Sequence, residues 1–77
     1  MDRLKITKEV IDLAYDIALV EVLEEDNLKE FGIDSILIIT LIVEIEKLYN
    51  IEFSESDLNP DNLTTIKNIV DMMEKYL

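Results

Sequence analysis

The sequence has neither cysteine nor histidine among its 77 residues. Without cysteine, the chain can form no disulfide and offers no thiolate of its own as a metal ligand or nucleophile. Without histidine, it lacks the commonest metal ligand and the usual general base at neutral pH. An enzyme of this size would have to work with carboxylates, lysines, tyrosines and hydroxyls, without a deep cleft. We therefore expect a protein that is not an enzyme and has no metal site.

Positive charge is also scarce, since seven basic residues face eighteen acids and the net charge is −11. Such a surface repels nucleic acid and anionic lipid, whereas a basic protein partner would be attracted to it. The excess of acids is concentrated in residues 21–34 and 51–63, on either side of the central segment. An apolar content of 49% argues against disorder.

No apolar run approaches the roughly 20 residues of a membrane span, and no signal peptide pattern opens the chain. The length fits one small domain, residues 1–77. We expect a cytoplasmic monomer.

The first segment has the periodicity of an amphipathic helix. Asp2 is a typical N-cap, and the pattern predicts a helix from Arg3 to about Val20. The apolar residues fall on one half of the helical wheel: Leu4, Ile6, Val10, Ile11, Leu13, Ala14, Ile17 and Ala18.

The periodicity fails in residues 21–34, which predicts a long loop. Leu28 and Phe31 are isolated apolar residues in this polar segment, and we expect both side chains to anchor the loop in the core. The acids of the loop lack the EF-hand spacing of calcium ligands.

A central helix is predicted from Ser35 to about Asn50. Its core face covers roughly 140° of the wheel: Leu37, Ile38, Leu41, Ile42, Ile45, Leu48 and Tyr49. Ile36, Ile39 and Val43 fall outside this face, next to Ser35. This trio is either a docking patch for a partner or a second side of the helix that the next helix buries.

Two further helices complete the pattern. Ser54 begins a short third helix that ends near Pro60, and Thr64 or Thr65 caps a last helix that continues to about Tyr76. The apolar face of the last helix is well defined: Ile66, Ile69, Val70, Met72, Met73, Tyr76 and Leu77. The fold class is therefore all-α, a small four-helix bundle with three long helices and one short third helix.

The hydroxyl of Ser35 lies at the start of the central helix, where N–H groups and the macrodipole favour an attached anion such as phosphate. Gly32, three residues earlier, gives the backbone additional freedom. Taken alone, Ser35 is also a typical N-cap.

Gly32-Ile33-Asp34-Ser35-Ile36 resembles the G-x-D-S-L signature of the acyl carrier protein family. The resemblance covers essentially the whole chain, including the acidic loop, the apolar anchors and a Thr-Ile-x-x-Ile-Val closing helix. In that family, a phosphopantetheinyl transferase attaches 4′-phosphopantetheine from coenzyme A to the serine. The thiol of the arm carries acyl, polyketide or aminoacyl groups as thioesters.

The resemblance implies that Ser35 is the attachment residue, that Asp34 helps the transferase recognise it, and that Gly32 allows a tight turn before the helix. It also implies partners: the transferase, acyl-loading enzymes and synthases of fatty acid or specialised-metabolite biosynthesis. Eight apolar residues either shelter the acyl chain of the cargo or form an ordinary core without a cavity: Ile38, Leu41, Ile42, Ile45, Phe53, Leu58, Ile66 and Ile69.

One departure from the family concerns docking. Relatives in fatty acid synthesis have acids on the exposed side of this helix, where this chain has Leu37 and Thr40. We therefore expect docking to depend more on apolar contacts, with the loop acids steering basic partners. The expected docking residues are Ile36, Ile39, Thr40, Val43 and Glu44. The pattern is closer to carriers of specialised assembly lines or to a D-alanyl-type carrier, and the cargo stays open.

Two other functions are compatible with the composition. One is a non-catalytic acidic adaptor that binds a partner through the apolar trio, with Ser35 only a cap. The other is a minimal hydrolase that uses Ser35 and Asp34, but adjacent residues without a positioned base give no triad geometry.

Overall fold

The computed structural model describes residues 2–77, which fold into three α-helices and three 3₁₀ turns without a β-strand in that range. The helices are α1 (Arg3–Ala18), α2 (Ser35–Tyr49) and α3 (Ile66–Met73). The 3₁₀ turns are Leu28–Phe31, Glu55–Asp57 and Pro60–Leu63. The all-helical class is confirmed, whereas the predicted short third helix is replaced by the last two 3₁₀ turns.

The helix α1 begins as predicted, because the Asp2 carboxylate accepts a hydrogen bond from the Lys5 N–H at 3.2 Å. It ends two residues early. Leu19 adopts a left-handed conformation, and its N–H donates to the Tyr15 carbonyl at 2.7 Å. Leu4, predicted on the core face, is exposed near the start of the helix.

The core face of α2 is largely as predicted, with Ile38, Leu41, Ile42 and Ile45 buried. Leu48 is an exception, since 54% of it is exposed near the end of the helix. The exposure has a simple cause: α2 ends at the next residue and the chain turns away.

In the predicted third helix, the Leu58 N–H donates to the Glu55 carbonyl, three residues earlier, so this segment is a 3₁₀ turn, and Pro60 separates it from a second one. A proline disfavours the helical conformation in the preceding residue. Asn59 accordingly has an extended backbone, with φ −92° and ψ 160°. The Asn59 carboxamide oxygen then accepts the Asn62 N–H at 3.1 Å, which starts a second 3₁₀ turn instead of continuing the first.

The helix α3 is capped by Thr65 rather than Thr64, because the Thr65 hydroxyl accepts the Asn68 N–H at 3.1 Å. It ends at Met73, three residues before the predicted end. Beyond it, Tyr76 packs edge to face against Phe53, with ring centroids 5.0 Å apart. Leu77, predicted on the core face, is half exposed.

The three helices enclose one core, to which two connecting segments contribute. We call residues 19–34 the first connection and residues 50–65 the second connection. The two helices α1 and α2 are joined across this core by the Tyr49 hydroxyl, which donates to the Glu9 carboxylate at 2.8 Å. Burial, followed by this hydrogen bond, raises the pKa of Tyr49. Among the helices of residues 2–77, none has the length and apolar character that crossing a membrane requires.

Candidate functional site

The hydroxyl of Ser35 is exposed at the first residue of α2 and is not used to cap the helix. The cap is Asp34, whose carboxylate accepts the Leu37 N–H at 3.0 Å. Within residues 2–77, the Ser35 hydroxyl has no hydrogen-bond partner. The interpretation of Ser35 as a plain N-cap is therefore wrong: Asp34 satisfies the helix terminus and leaves the neighbouring hydroxyl accessible.

The first connection determines where this hydroxyl lies. The Leu28–Phe31 turn ends at Gly32, which has φ +85°, and a Cβ there would meet open space. The glycine is thus required by backbone conformation rather than by packing. The next residue, Ile33, is buried and its N–H donates to the Leu28 carbonyl at 3.0 Å. This buried residue fixes the chain immediately before Asp34 and Ser35.

The anchors of the first connection differ in part from the prediction. Leu28 is fully buried, as expected, whereas 42% of Phe31 is exposed. The other buried anchors are Val22 and Ile33. A single apolar residue in a polar segment does not reveal which way its side chain points, because an irregular segment has no periodicity from which to infer it.

The first turn of α2 can accept an anionic group on Ser35. The N–H groups of Ser35 and Ile36 have no acceptor in the part of the chain that the structure describes. Unpaired N–H groups at a helix N-terminus, together with the helix dipole, favour a phosphate ester next to them. An exposed hydroxyl, free N–H donors and open space beside them therefore fit a group linked through phosphate.

A groove of about 300 Å³ opens beside Ser35. Its lining includes Ile38 and Leu58, two of the residues predicted to shelter a cargo chain. The remaining six of those residues are packed in the core instead: Leu41, Ile42, Ile45, Phe53, Ile66 and Ile69. The existing space thus lies at the edge of the core, between α2 and the two connections.

An exposed apolar stripe follows Ser35 along α2. We define the stripe by Ile36, Ile39 and Val43, which are 76%, 54% and 40% exposed. The interpretation that a second side of α2 is buried is therefore wrong. Next to the stripe, the Thr40 hydroxyl donates to the Ile36 carbonyl at 3.0 Å, so it is partly used within the helix. Glu44 forms an ion pair with Lys47 at 3.7 Å.

Three polar residues that line the groove with Ser35 were not predicted from the sequence as part of the site: Asn27, Lys29 and Thr64. Asn27 and Thr64 come from different connections, and nothing in the linear pattern indicates that they meet. A signal did exist for Lys29, because it is the single basic residue between Lys8 and Lys47.

Comparisons with known proteins identify relatives of this chain. A family model described as "Phosphopantetheine attachment site" matches residues 5–73. An acyl carrier protein of Coprothermobacter proteolyticus is 30% identical over 81 residues, which cover 100% of this chain and 96% of the relative. An acyl carrier protein of Amoebophilus asiaticus is 32% identical over 77 residues, covering 95% of this chain and 94% of the relative.

The fold also has a solved counterpart. The chain superimposes with a TM-score of 0.72 on a chain of the crystal structure of Bradyrhizobium japonicum glycine:carrier protein ligase complexed with glycylated carrier protein. The match covers 91% of this chain and 96% of the other, at 22% sequence identity. At that identity, the similarity supports the fold alone.

Proposed function

Because this chain belongs to the acyl carrier protein family, whose cofactor is 4′-phosphopantetheine, we propose that Ser35 is the residue to which the cofactor is attached. The loaded protein then carries acyl or aminoacyl groups as thioesters and presents them to partner enzymes. The chain contributes no thiol of its own, since it has no cysteine. The thiol at the end of the arm supplies the chemistry of the thioester.

The observation that supports this proposal most directly is that the Asp34 and Ser35 side chains have different roles at the start of α2. Asp34 caps α2, so the exposed Ser35 hydroxyl is not needed to satisfy the helix. A hydroxyl with no internal partner can react without loss of a stabilising hydrogen bond. The N–H groups at the start of α2 favour the negative charge that the new phosphodiester adds.

In the loading step, the phosphopantetheinyl group is transferred from coenzyme A to the Ser35 oxygen. The Ser35 oxygen forms a bond to the phosphorus of the phosphopantetheine group, and the bond from that phosphorus to the nucleotide part breaks. The hydroxyl proton leaves to a base on the transferase, and adenosine bisphosphate is the leaving group. Asp34 presents a charged carboxylate beside the hydroxyl, which the transferase recognises. Gly32 provides the turn that brings both residues to the surface.

Intact-mass measurement tests the attachment directly. After incubation with coenzyme A and a promiscuous phosphopantetheinyl transferase, we expect the protein to gain one phosphopantetheinyl group. Ser35→Ala should gain none, whereas the control Ser56→Ala should load like the unmodified sequence, since Ser56 is another exposed serine. A gain that persists in Ser35→Ala, or no gain in any chain, would overturn the proposal.

The cargo is proposed at the level of class. The two curated relatives are named acyl carrier proteins, and the solved counterpart comes from a complex that contains a glycylated carrier protein. We propose that the arm carries an acyl or aminoacyl group in fatty acid or specialised-metabolite biosynthesis. Mass spectrometry of the protein purified from its own host identifies the group, and an unacylated arm under all growth conditions would contradict this role.

We propose that partner enzymes dock on the exposed stripe of α2, with Thr40 and Glu44 at its border. The stripe begins at Ile36, next to Ser35, so an enzyme that contacts it also reaches the arm. Exposed apolar residues on one helix face are typical of protein-binding surfaces. The acids of the first connection steer partners with basic surfaces toward it. A single helix face gives a small interface, which suits repeated and transient encounters.

The stripe can be tested with a matched pair of substitutions. Ile39 and Leu48 are both 54% exposed on α2 and lie about 180° apart around the helix. Ile39→Ser should reduce the kcat/KM of the transferase by roughly fivefold, the effect of losing about 1 kcal/mol of apolar contact. Leu48→Ser should leave kcat/KM unchanged. Equal effects of the two substitutions would exclude the stripe as the docking surface. If no chain loads, the stripe would instead belong to a cofactor-free adaptor.

A further inference from the structure

Lys29 is placed unusually for a basic residue of this chain. It lies in the first connection, where acids predominate, and no other lysine or arginine occurs between Lys8 and Lys47. Lys29 lines the groove that also contains Ser35. A cation is therefore kept close to the proposed attachment residue in the part of the sequence that is otherwise most negative.

The backbone of Lys29 is fixed on both sides. Its N–H donates to the Asn27 carboxamide oxygen at 3.0 Å, and its carbonyl accepts the Gly32 N–H at 3.1 Å. The preceding residue, Leu28, is fully buried, and its N–H donates to the Thr64 carbonyl at 3.0 Å. The position of Lys29 at the edge of the groove is thus fixed, while the side chain stays exposed.

Among residues 2–77, no carboxylate forms an ion pair with Lys29. Four other basic residues form ion pairs with carboxylates: Arg3, Lys47, Lys67 and Lys75. Lys29 forms none with any carboxylate of residues 2–77, although Glu30 follows it directly in the sequence. Lys5 and Lys8 are likewise unpaired within that range, but they lie on α1 and do not line the groove.

We propose that the Lys29 ammonium pairs with the phosphodiester that joins the cofactor to Ser35, and so positions the start of the arm against the groove. This inference rests on the proposed function of Ser35. A phosphodiester carries one negative charge, and lysine binds phosphate as a point charge on a flexible four-carbon stem that can reach across a small groove. The N–H groups of Ser35 and Ile36 contact the phosphate from the helix side, while Lys29 contacts it from the first connection.

A thermodynamic cycle tests the pairing without any measurement of activity. The unfolding equilibrium constant is measured by urea denaturation for the unloaded and the loaded protein, each with Lys29 and with Lys29→Gln. Exposed ion pairs are weak, so we expect a coupling of about 1.5- to 5-fold between the lysine and the cofactor. The coupling should vanish in 1 M salt. The control Lys8→Gln removes the same charge from an exposed lysine and should show no coupling.

A spectroscopic measurement distinguishes pairing from a general change in stability. In the loaded protein, the phosphorus-31 resonance of the phosphodiester should shift in Lys29→Gln, should be unchanged in Lys8→Gln, and should return toward its original position in Lys29→Arg. Identical resonances in Lys29→Gln and the unmodified sequence, with no coupling in the cycle, would overturn the proposal. Because loading is verified first by mass, failure of the pairing is distinguishable from failure of attachment at Ser35.

Discussion

The two connections have the same length and a similar acidic composition, but they are held in different ways. The first connection is held mainly by buried apolar side chains and by backbone hydrogen bonds to the second connection and to α3. The second connection is held by the buried Phe53 and, in addition, by hydrogen bonds between its own polar side chains. Its 3₁₀ turns contain no fully buried residue, and the Asp57 carboxylate accepts hydrogen bonds from Tyr76 and Lys75.

This difference matters for the charged residue that the first connection places in the groove, which both connections line. Buried apolar anchors hold the first connection without engaging the Lys29 ammonium or the adjacent Ser35 hydroxyl, whereas its Asp26, Asn27 and Asp34 side chains cap local turns. In the second connection, Ser54, Asp57 and Asn62 are used to hold the segment together. A segment anchored by its polar side chains has fewer of them left for function.

The largest loss of stability is expected from a substitution that removes the apolar anchor of the first connection. Leu28→Ala removes a fully buried side chain and should lower the free energy of unfolding by about 2–5 kcal/mol. Phe31→Ala should cost about 1 kcal/mol or less, because nearly half of Phe31 is already exposed. Urea denaturation of both variants provides the measurement, and equal losses would contradict the assignment of Leu28 as the anchor.

A smaller effect is expected at the cap of α2. Asp34→Ala removes the acceptor for the Leu37 N–H and should cost about 1 kcal/mol of stability, whereas Asp34→Asn retains a good cap and should cost little. Both variants should have a lower transferase kcat/KM, because the enzyme is proposed to recognise the charge. If Asp34→Asn loads as fast as the unmodified sequence, Asp34 acts on loading only through the helix end.

The smallest expected effect concerns the polar anchor of the second connection. The hydrogen bond from Tyr76, followed by that from Lys75, holds the pKa of Asp57 below its ordinary value. The stabilisation is therefore fully present above the unfolded pKa of about 4 and is lost as the pH falls through the lower folded value. Asp57→Asn should be less stable than the unmodified sequence at neutral pH, and this difference should shrink in acid.

The control for this measurement is Asp61→Asn, which removes an exposed carboxylate from the same connection. Its stability at neutral pH should match that of the unmodified sequence, and loading at Ser35 should be unaffected in both variants. A pH dependence that is identical in Asp57→Asn and the unmodified sequence would show that the Asp57 network does not hold the second connection.

Much of the fold could be predicted because helical periodicity is a local property. The spacing of apolar residues predicted α1 and α2 to within two residues at either end, and Asp2 was predicted as a cap. Helix ends that depend on the backbone torsion of a single residue could not be predicted. Leu19, for example, ends α1 in a left-handed conformation that its residue type does not favour.

The candidate site, like the fold, could be predicted from the sequence only in part. The residues from Gly32 to Ser35 are adjacent in sequence, so their pattern was sufficient to identify a hydroxyl at the start of a helix. The groove could not be predicted, because its lining comes from α2 and both connections. Their meeting depends on the hydrogen bond between Leu28 and Thr64, which are far apart in the sequence.

The sequence by itself thus determined the three long helices, a hydroxyl at the start of α2 and the excess of negative charge, since each depends on residue types and short spacings. Only the tertiary structure decided that Asp34 rather than Ser35 caps α2, that the stripe is exposed, and that Lys29 lines the groove with no ion pair to the described part of the chain. These features depend on how distant segments pack against one another. Packing is decided by the burial of side chains in three dimensions, which a linear pattern does not specify.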